Sequence, residues 1–139
     1  MKIAVCNRNT EKRYKNKEMS WEDIKERNRH PIRTSETMEE YPKLPKAQRN
    51  IAKDQGGFVG GWLRGGIRKK GHVISRECGA LDADHIPEGE DFIGKAVSVL
   101  AGVRFFLYST HSHTPQHQRY RLVMPFSREV SEEEYAPFM

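Results

Sequence analysis

The chain opens on an alternating stretch, Met1 to Cys6, in which Ile3 and Val5 face one way and Lys2 and Ala4 the other, the pattern of a short strand. Residues 7–50 are mostly polar. Within them Ser20-Trp21-Glu22-Asp23 reads as a capping box, with Asp23 in place of a longer acid, opening one or two helical turns. Pro31, Pro42 and Pro45 punctuate the rest of this region and predict extended loop, with Lys46 to Lys53 as one more short helix. Val73 to Leu81 is an apolar-leaning run of strand length that ends directly on Asp82. Behind the acidic stretch Pro87 to Asp91, the residues Phe92, Ile93, Ala96, Val97 and Leu100 keep helical spacing until Gly102, which is expected to end the helix. Arg104 to His113 and Arg119 to Met124 predict a hairpin closed by Thr114-Pro115-Gln116-His117-Gln118. A regular pleat would set Phe105, Leu107, Ser109, His111 and His113 on one face of its first strand and Arg119 and Arg121 on one face of its second. Ser131 to Tyr135 is a further capping box with acids in its first turn, about a turn from Met139. A helix that short is not stable alone, so the sequence is expected to be the front part of a longer domain. The element order gives an α+β fold with an antiparallel sheet and helices on one side.

Between the polar region and the Val73 run lies Gly56-Gly57-Phe58-Val59-Gly60-Gly61-Trp62-Leu63-Arg64-Gly65-Gly66-Ile67-Arg68-Lys69-Lys70-Gly71, sixteen residues with seven of the eleven glycines. The apolar residues among them exclude a flexible linker, and the absence of a Lys-Ser/Thr ending excludes a Walker loop. Glycine-rich strands and a tight turn are expected, with backbone open to a ligand. Arg64, Arg68, Lys69 and Lys70 add positive charge there, which suits phosphate or nucleic-acid contact, or else a solvated hairpin tip.

At 139 residues the chain is one domain at most, with residues 1–55 polar and loop-rich and residues 56–139 carrying the strands and motifs. The hydrophobic fraction of 36% and the mean hydropathy of −0.82 leave little to spare for a core. No run of 18 apolar residues exists, and the start is too short for a signal peptide, so a cytoplasmic protein with no membrane partner is expected. Cys6 and Cys78 have no CxxC spacing, which argues against a disulfide framework. Charge is unevenly spread. Residues 1–76 hold 19 Lys/Arg against 9 Asp/Glu, a balance of +10, and residues 77–139 hold 5 against 10, a balance of −5. A basic half beside an acidic one suits the handling of a polyanion by a metal site; a solvated basic surface would look the same.

The acidic half supplies the candidate chemistry. On a strand, Asp82 and Asp84 point to one face, about 6.5–7 Å apart. Two such carboxylates can hold Mg²⁺ or Mn²⁺ between them and leave coordination positions for water and phosphate. An Asp-x-Asp pair is common in turns as well. Its place at the end of a core strand is what favours a cation, because carboxylates there are costly unless paired.

A strand ending in Asp82-Ala83-Asp84, a helix, and a hairpin whose first strand ends in Ser109-Thr110-His111 resembles the archaeo-eukaryotic primase superfamily. The run Ser112-His113-Thr114-Pro115 through Arg119-Tyr120-Arg121-Leu122-Val123-Met124-Pro125-Phe126-Ser127-Arg128 is similar to its phage and plasmid primase-polymerase branch, which accompanies helicases of the virulence-associated protein E type. The resemblance covers residues 56–135 and is weak before them. It implies an RRM-like core, cut short at its C-terminus, for template-directed transfer from NTP or dNTP on a DNA template and primer, with a helicase as a further partner. In that setting Asp82 and Asp84 are the metal ligands and, with His111, the catalytic residues. Ser109, His111, His113, Arg119 and Arg121 bind the nucleotide and its phosphates. The family's third acid lies on a later strand than this sequence contains, so weak or no turnover is expected of residues 1–139 alone.

Other readings of the same residues differ in class. A rolling-circle nuclease would use His111-Ser112-His113 with a helical Tyr, and neither Tyr108 nor Tyr120 is expected on a helix. A metallo-β-lactamase-type phosphoesterase needs Asp after His-x-His, where Thr114-Pro115 stands. His111, His113 and His117 could bind zinc. A non-catalytic nucleic-acid-binding module would use the basic half with Phe58, Trp62 and Tyr120 as stacking platforms and the acids as structural groups.

Overall fold

A computed structural model describes residues 1–136. The fold is α+β, with four α-helices and seven strands among the described residues. The strands form two sheets rather than the one expected. By contacts the chain divides into a unit of residues 1–78 and 126–139 and a unit of residues 79–125.

In the first unit, β1 (Lys2–Cys6) is the central strand of a three-stranded sheet, order β2-β1-β3, with β2 (Lys15–Glu18) and β3 (Gly57–Val59) both antiparallel to it. Four of its five residues are buried, and Ile3 and Ala4 are fully so. β2, sequence KNKE, has no apolar residue; as an edge strand with mostly exposed side chains it needs none, and polar edges discourage pairing with other chains. The expected helices are present. Ser20 caps α1 (Trp21–Arg29) in a full capping box with Asp23, and α1 buries Trp21 and Ile24. α2 (Lys46–Lys53) follows a 3₁₀ turn at Tyr41–Lys43. At the other end α4 (Glu132–Tyr135) is capped by Ser131 with Glu134, again a full box, and buries Tyr135.

The glycine stretch proves to be a backbone crossing. β3 belongs to the three-stranded sheet and β4 (Gly61–Leu63) to the second one, so the chain changes sheets at Gly60. A Cβ at Gly60 would lie 2.3 Å from both the carbonyl oxygen and the Sγ of Cys78, one at Gly61 1.8 Å from the Ser75 carbonyl, and one at Gly66 2.3 Å from the Tyr14 carbonyl. These glycines let the chain approach itself, not a ligand, which corrects the expectation of open backbone there. The Gly60 carbonyl accepts from the Glu77 and Cys78 amides, at 2.8 and 3.1 Å. Around the crossing Ala4, Cys6, Tyr14, Val59 and Leu63 form one buried cluster with Val73 against it. Burial pushes the Cys78 thiol up to about 11, which makes it an inert apolar group.

The four-stranded sheet has the order β4-β5-β7-β6. β5 (Val73–Ala83) and β7 (Tyr120–Val130) each run from one unit into the other. β5 extends two residues past the expected Leu81 and so includes Asp82, with Asp84 just beyond its end. β7 runs on through Pro125, where the sequence predicted a stop. Its register with β6 (Phe106–Ser109) reaches only Phe106 opposite Val123, so no β6 partner is lost at the proline. In the second unit α3 (Phe92–Val99) is N-capped by Asp91, which accepts from the Gly94 amide at 2.9 Å. It ends before Gly102, whose φ of +81° belongs to the turn after the helix. None of its residues is buried.

Candidate metal and nucleotide site

The residues with candidate chemistry in the second unit sit where β5, β7 and β6 end or begin. Asp82 lies at the end of β5 with Asp84 just past it, and Arg121 lies at the start of β7 with Arg119 just before it. The Arg121 guanidinium donates from Nε to Asp82 Oδ1 at 2.6 Å and from a terminal nitrogen to Oδ2 at 3.0 Å, a bidentate fork. Arg119 pairs with Asp84 at 3.6 Å. Two residues forward on β5 thus match two residues back on β7, as neighbouring antiparallel strands place them. All four side chains are part-exposed, from 40% for the arginines to 45% for Asp84 and 50% for Asp82. Pairs so exposed contribute about 1 kcal/mol or less each.

Arg121 is held from its other side as well. Tyr108 of β6 stands directly opposite it in the β6–β7 register. The Asp82 hydrogen bonds above all, with Tyr108 adding, keep the guanidinium charged even more firmly than usual. Burial raises the Tyr108 hydroxyl, against a lowering by Arg121. No motif marks Tyr108, and its role follows only from a register that places it across from an arginine.

The Ser-x-His segment departs from the expected pleat. β6 stops at Ser109; His111 and Ser112 lie in a turn that the His113 amide closes on the Thr110 carbonyl at 3.0 Å. A second tight turn, Thr114 to His117, comes next, with Thr114 Oγ1 accepting from the His117 amide at 3.0 Å. The backbone prefers these turns to a strand because the Thr114-Pro115 pair favours turn initiation and proline offers no amide for a ladder. Ser109, His111 and His113 therefore do not share one strand face. His113 Nδ1 accepts from the Arg119 amide at 3.1 Å, which in the neutral ring places the proton on Nε2. Its ring tilts against Tyr120, centroids 4.9 Å apart, while Phe92 stacks on Tyr120 at 5.5 Å and 5°. Tyr120 thus spends its ring on Phe92 and His113 and is not the open platform the module reading expected.

Arg64, Arg68, Lys69 and Lys70 belong to the first unit. All four are exposed, on and after the 3₁₀ turn Arg64–Gly66. Arg68 donates to the Tyr14 hydroxyl at 3.2 Å and lies over its ring. The Trp62 indole donates to the Lys17 carbonyl at 3.3 Å, with the Lys2 ammonium 5.3 Å from its ring centre.

Among the described residues no group of three or more His, Cys, Asp and Glu side chains gathers as a metal would require, so the His111, His113, His117 zinc set is not assembled. Asp82 and Asp84 remain as a pair of hard oxygen donors open to solvent. Such a pair fits a hydrated divalent cation that brings its other ligands as water and phosphate, provided the arginines yield.

A two-sheet α+β module with an acid pair facing an arginine pair is thus the class that fold and site define. The family model of the VapE N-terminal domain matches residues 1–139, and the chain belongs to that family. This ties it to VapE-type proteins, the phage and plasmid replication context to which the sequence resemblance points. No curated protein and no solved structure matches it. No helix among the described residues is long and apolar enough to cross a membrane.

Proposed function

We propose that the chain is the nucleotide- and metal-binding part of a primase-polymerase-type nucleotidyltransferase on an RRM-like core, working in replication of a phage or mobile element in the bacterial cytoplasm beside a helicase. The observation that carries this reading is the pairing of Asp82 and Asp84 with Arg121 and Arg119 at the mouth of adjacent strands. Carboxylates for a cation and guanidiniums for phosphates, side by side, are complementary to a metal-bound triphosphate. Asp82 and Asp84 would hold Mg²⁺ or Mn²⁺, which would supply charge neutralisation at the phosphates and polarise an attacking hydroxyl. Arg119 and Arg121 would receive the phosphates; Ser109 and His111, at the end of β6 and in the turn after it, would complete their contacts. His113, bound to the Arg119 amide, would position that arginine. Arg64, Arg68, Lys69 and Lys70 would contact the DNA backbone. A third acid is not assembled among the described residues, so binding rather than turnover is the property to measure on this chain.

Calorimetric titration of a dNTP with and without Mn²⁺ tests the reading. Binding strengthened about tenfold by Mn²⁺, and no longer strengthened in Asp82→Ala, is the expected outcome. A second reading, a non-catalytic DNA-binding module, draws on the bidentate Arg121–Asp82 bridge, which satisfies the carboxylate without any cation. DNA binding with dNTP binding indifferent to metal would support it against the first.

A further inference from the structure

We infer that Arg121 is a displaceable counter-ion that keeps a cation off Asp82 until a polyphosphate anion draws the guanidinium away. The inference rests on the metal and nucleotide reading above and adds to it an order of events. In the structure both oxygens of Asp82 are engaged by one guanidinium, at 2.6 and 3.0 Å, so the lone pairs that face Arg121 are taken. A divalent cation on those oxygens would sit against a fixed positive charge, and the two compete. Asp84 is less committed, with its arginine at 3.6 Å. Its carboxylate is the more accessible of the two to a cation.

The latch has a second resting place for its positive charge only when an anion arrives. Tyr108, opposite Arg121 on β6, carries no charge of its own with which to neutralise the guanidinium. A triphosphate can, because its oxygens match the same planar fork that Asp82 now fills. Moving the guanidinium from Asp82 to a phosphate frees the carboxylate and leaves the total count of ion pairs unchanged. Metal and polyphosphate therefore favour each other through Arg121, over and above their direct contact, and linkage makes the coupling reciprocal. No backbone motion is required, since both partners lie half-exposed at the strand ends.

The test is Mn²⁺ binding by electron paramagnetic resonance, using manganese chloride alone and the full chain. Arg121→Gln, which removes the competing charge, is expected to bind Mn²⁺ about fivefold more tightly than the wild type, and Arg121→Lys, which keeps the charge without the fork, to fall between them. Adding inorganic triphosphate should raise Mn²⁺ affinity by a larger factor in the wild type than in Arg121→Gln. Equal or weaker Mn²⁺ binding by Arg121→Gln, with an unchanged circular dichroism spectrum, overturns the latch and leaves the metal reading standing. Absence of any Mn²⁺ binding that Asp82→Asn removes, in wild type and Arg121→Gln alike, overturns both. Should Arg121→Gln lose its fold, the Arg121→Lys affinity decides alone: tighter than wild type supports the latch, equal or weaker refutes it.

Discussion

The two units differ in what their sequences are spent on. The first buries Ile3, Ala4, Val5, Cys6, Tyr14, Trp21, Ile24, Tyr41, Val59, Leu63, Cys78 and Tyr135; the second buries only Leu122 and Val123 among its apolar side chains. The second leaves Leu81, Ile93, Val97, Val99 and Val103 exposed, Val99 at 82%. Yet both candidate carboxylates and their arginines lie in the second. A densely packed scaffold and a thinly packed, chemically equipped segment share one chain, in keeping with the tendency of binding segments to come from the less stable end of a structure. Stability and function should therefore respond to different substitutions.

The sharpest break is Gly61→Ala. Its Cβ would meet the Ser75 carbonyl oxygen at 1.8 Å and the Arg76 Cα at 2.9 Å, both backbone, so neither can turn aside. A loss of about 3 kcal/mol or more is expected in urea unfolding monitored by Trp21, which is buried in the first unit. A cost below about 1 kcal/mol would mean that the crossing at Gly60 and Gly61 is looser than the packing around it.

Next in size is Asp91→Ala, confined to the second unit. It removes the acceptor for the Gly94 amide at the start of α3, at a cost of about 1 kcal/mol. Because α3 buries none of its residues, little packing can compensate, and its amides should exchange with solvent about fivefold faster. Those of β1 and α1 should keep their rates. Equal acceleration in β1 would show that the units open together and would erase the contrast drawn between them.

How much of this was legible in the sequence depends on the range of each interaction. Capping boxes at Ser20 and Ser131 are local, and both are present. The apolar-leaning run from Val73 to Leu81 brought Asp82 to the end of β5, because a strand's length and composition are local signals. The polar strand β2 left no such trace, since an edge strand exposed along most of its length needs no apolar side. In α3 helical spacing revealed the helix but not its exposure: periodicity states which face is apolar, not whether anything covers it. The glycine stretch showed unusual backbone, but only the chain's return at Ser75, Cys78 and Tyr14 reveals that the close neighbour is the chain itself. For the same reason Arg121 was legible as a candidate and not as the partner of Asp82, 39 residues away and set by strand register. Ser109 and His111 were expected on a straight strand, and the turn that the His113 amide closes on the Thr110 carbonyl separates them.

The smallest effect probes charge in the first unit. The Arg128 fork and, after it, the Ser131 amide pull the Glu134 carboxyl down to about 2 from the ordinary 4.5. A depressed carboxyl stabilises the folded form fully above its ordinary value and loses that contribution as pH falls toward the folded one, so the cap of α4 should hold at pH 5 and fade between about 4.5 and 2. Glu129, lowered chiefly by the Lys2 hydrogen bond, should likewise lose its contribution only as pH falls below the ordinary carboxyl value. Carboxyl resonances recorded by NMR from pH 6 to 2 check this, with the Arg128 side-chain signals reporting the release of Glu134. A Glu134 midpoint near 4.5 would show that the box is not closed by its acid. Since Glu134 is exposed, breaking its fork should leave the buried cluster of Ala4, Cys6, Tyr14, Val59 and Leu63 intact, and protection of the β1 amides should persist after α4 has been released.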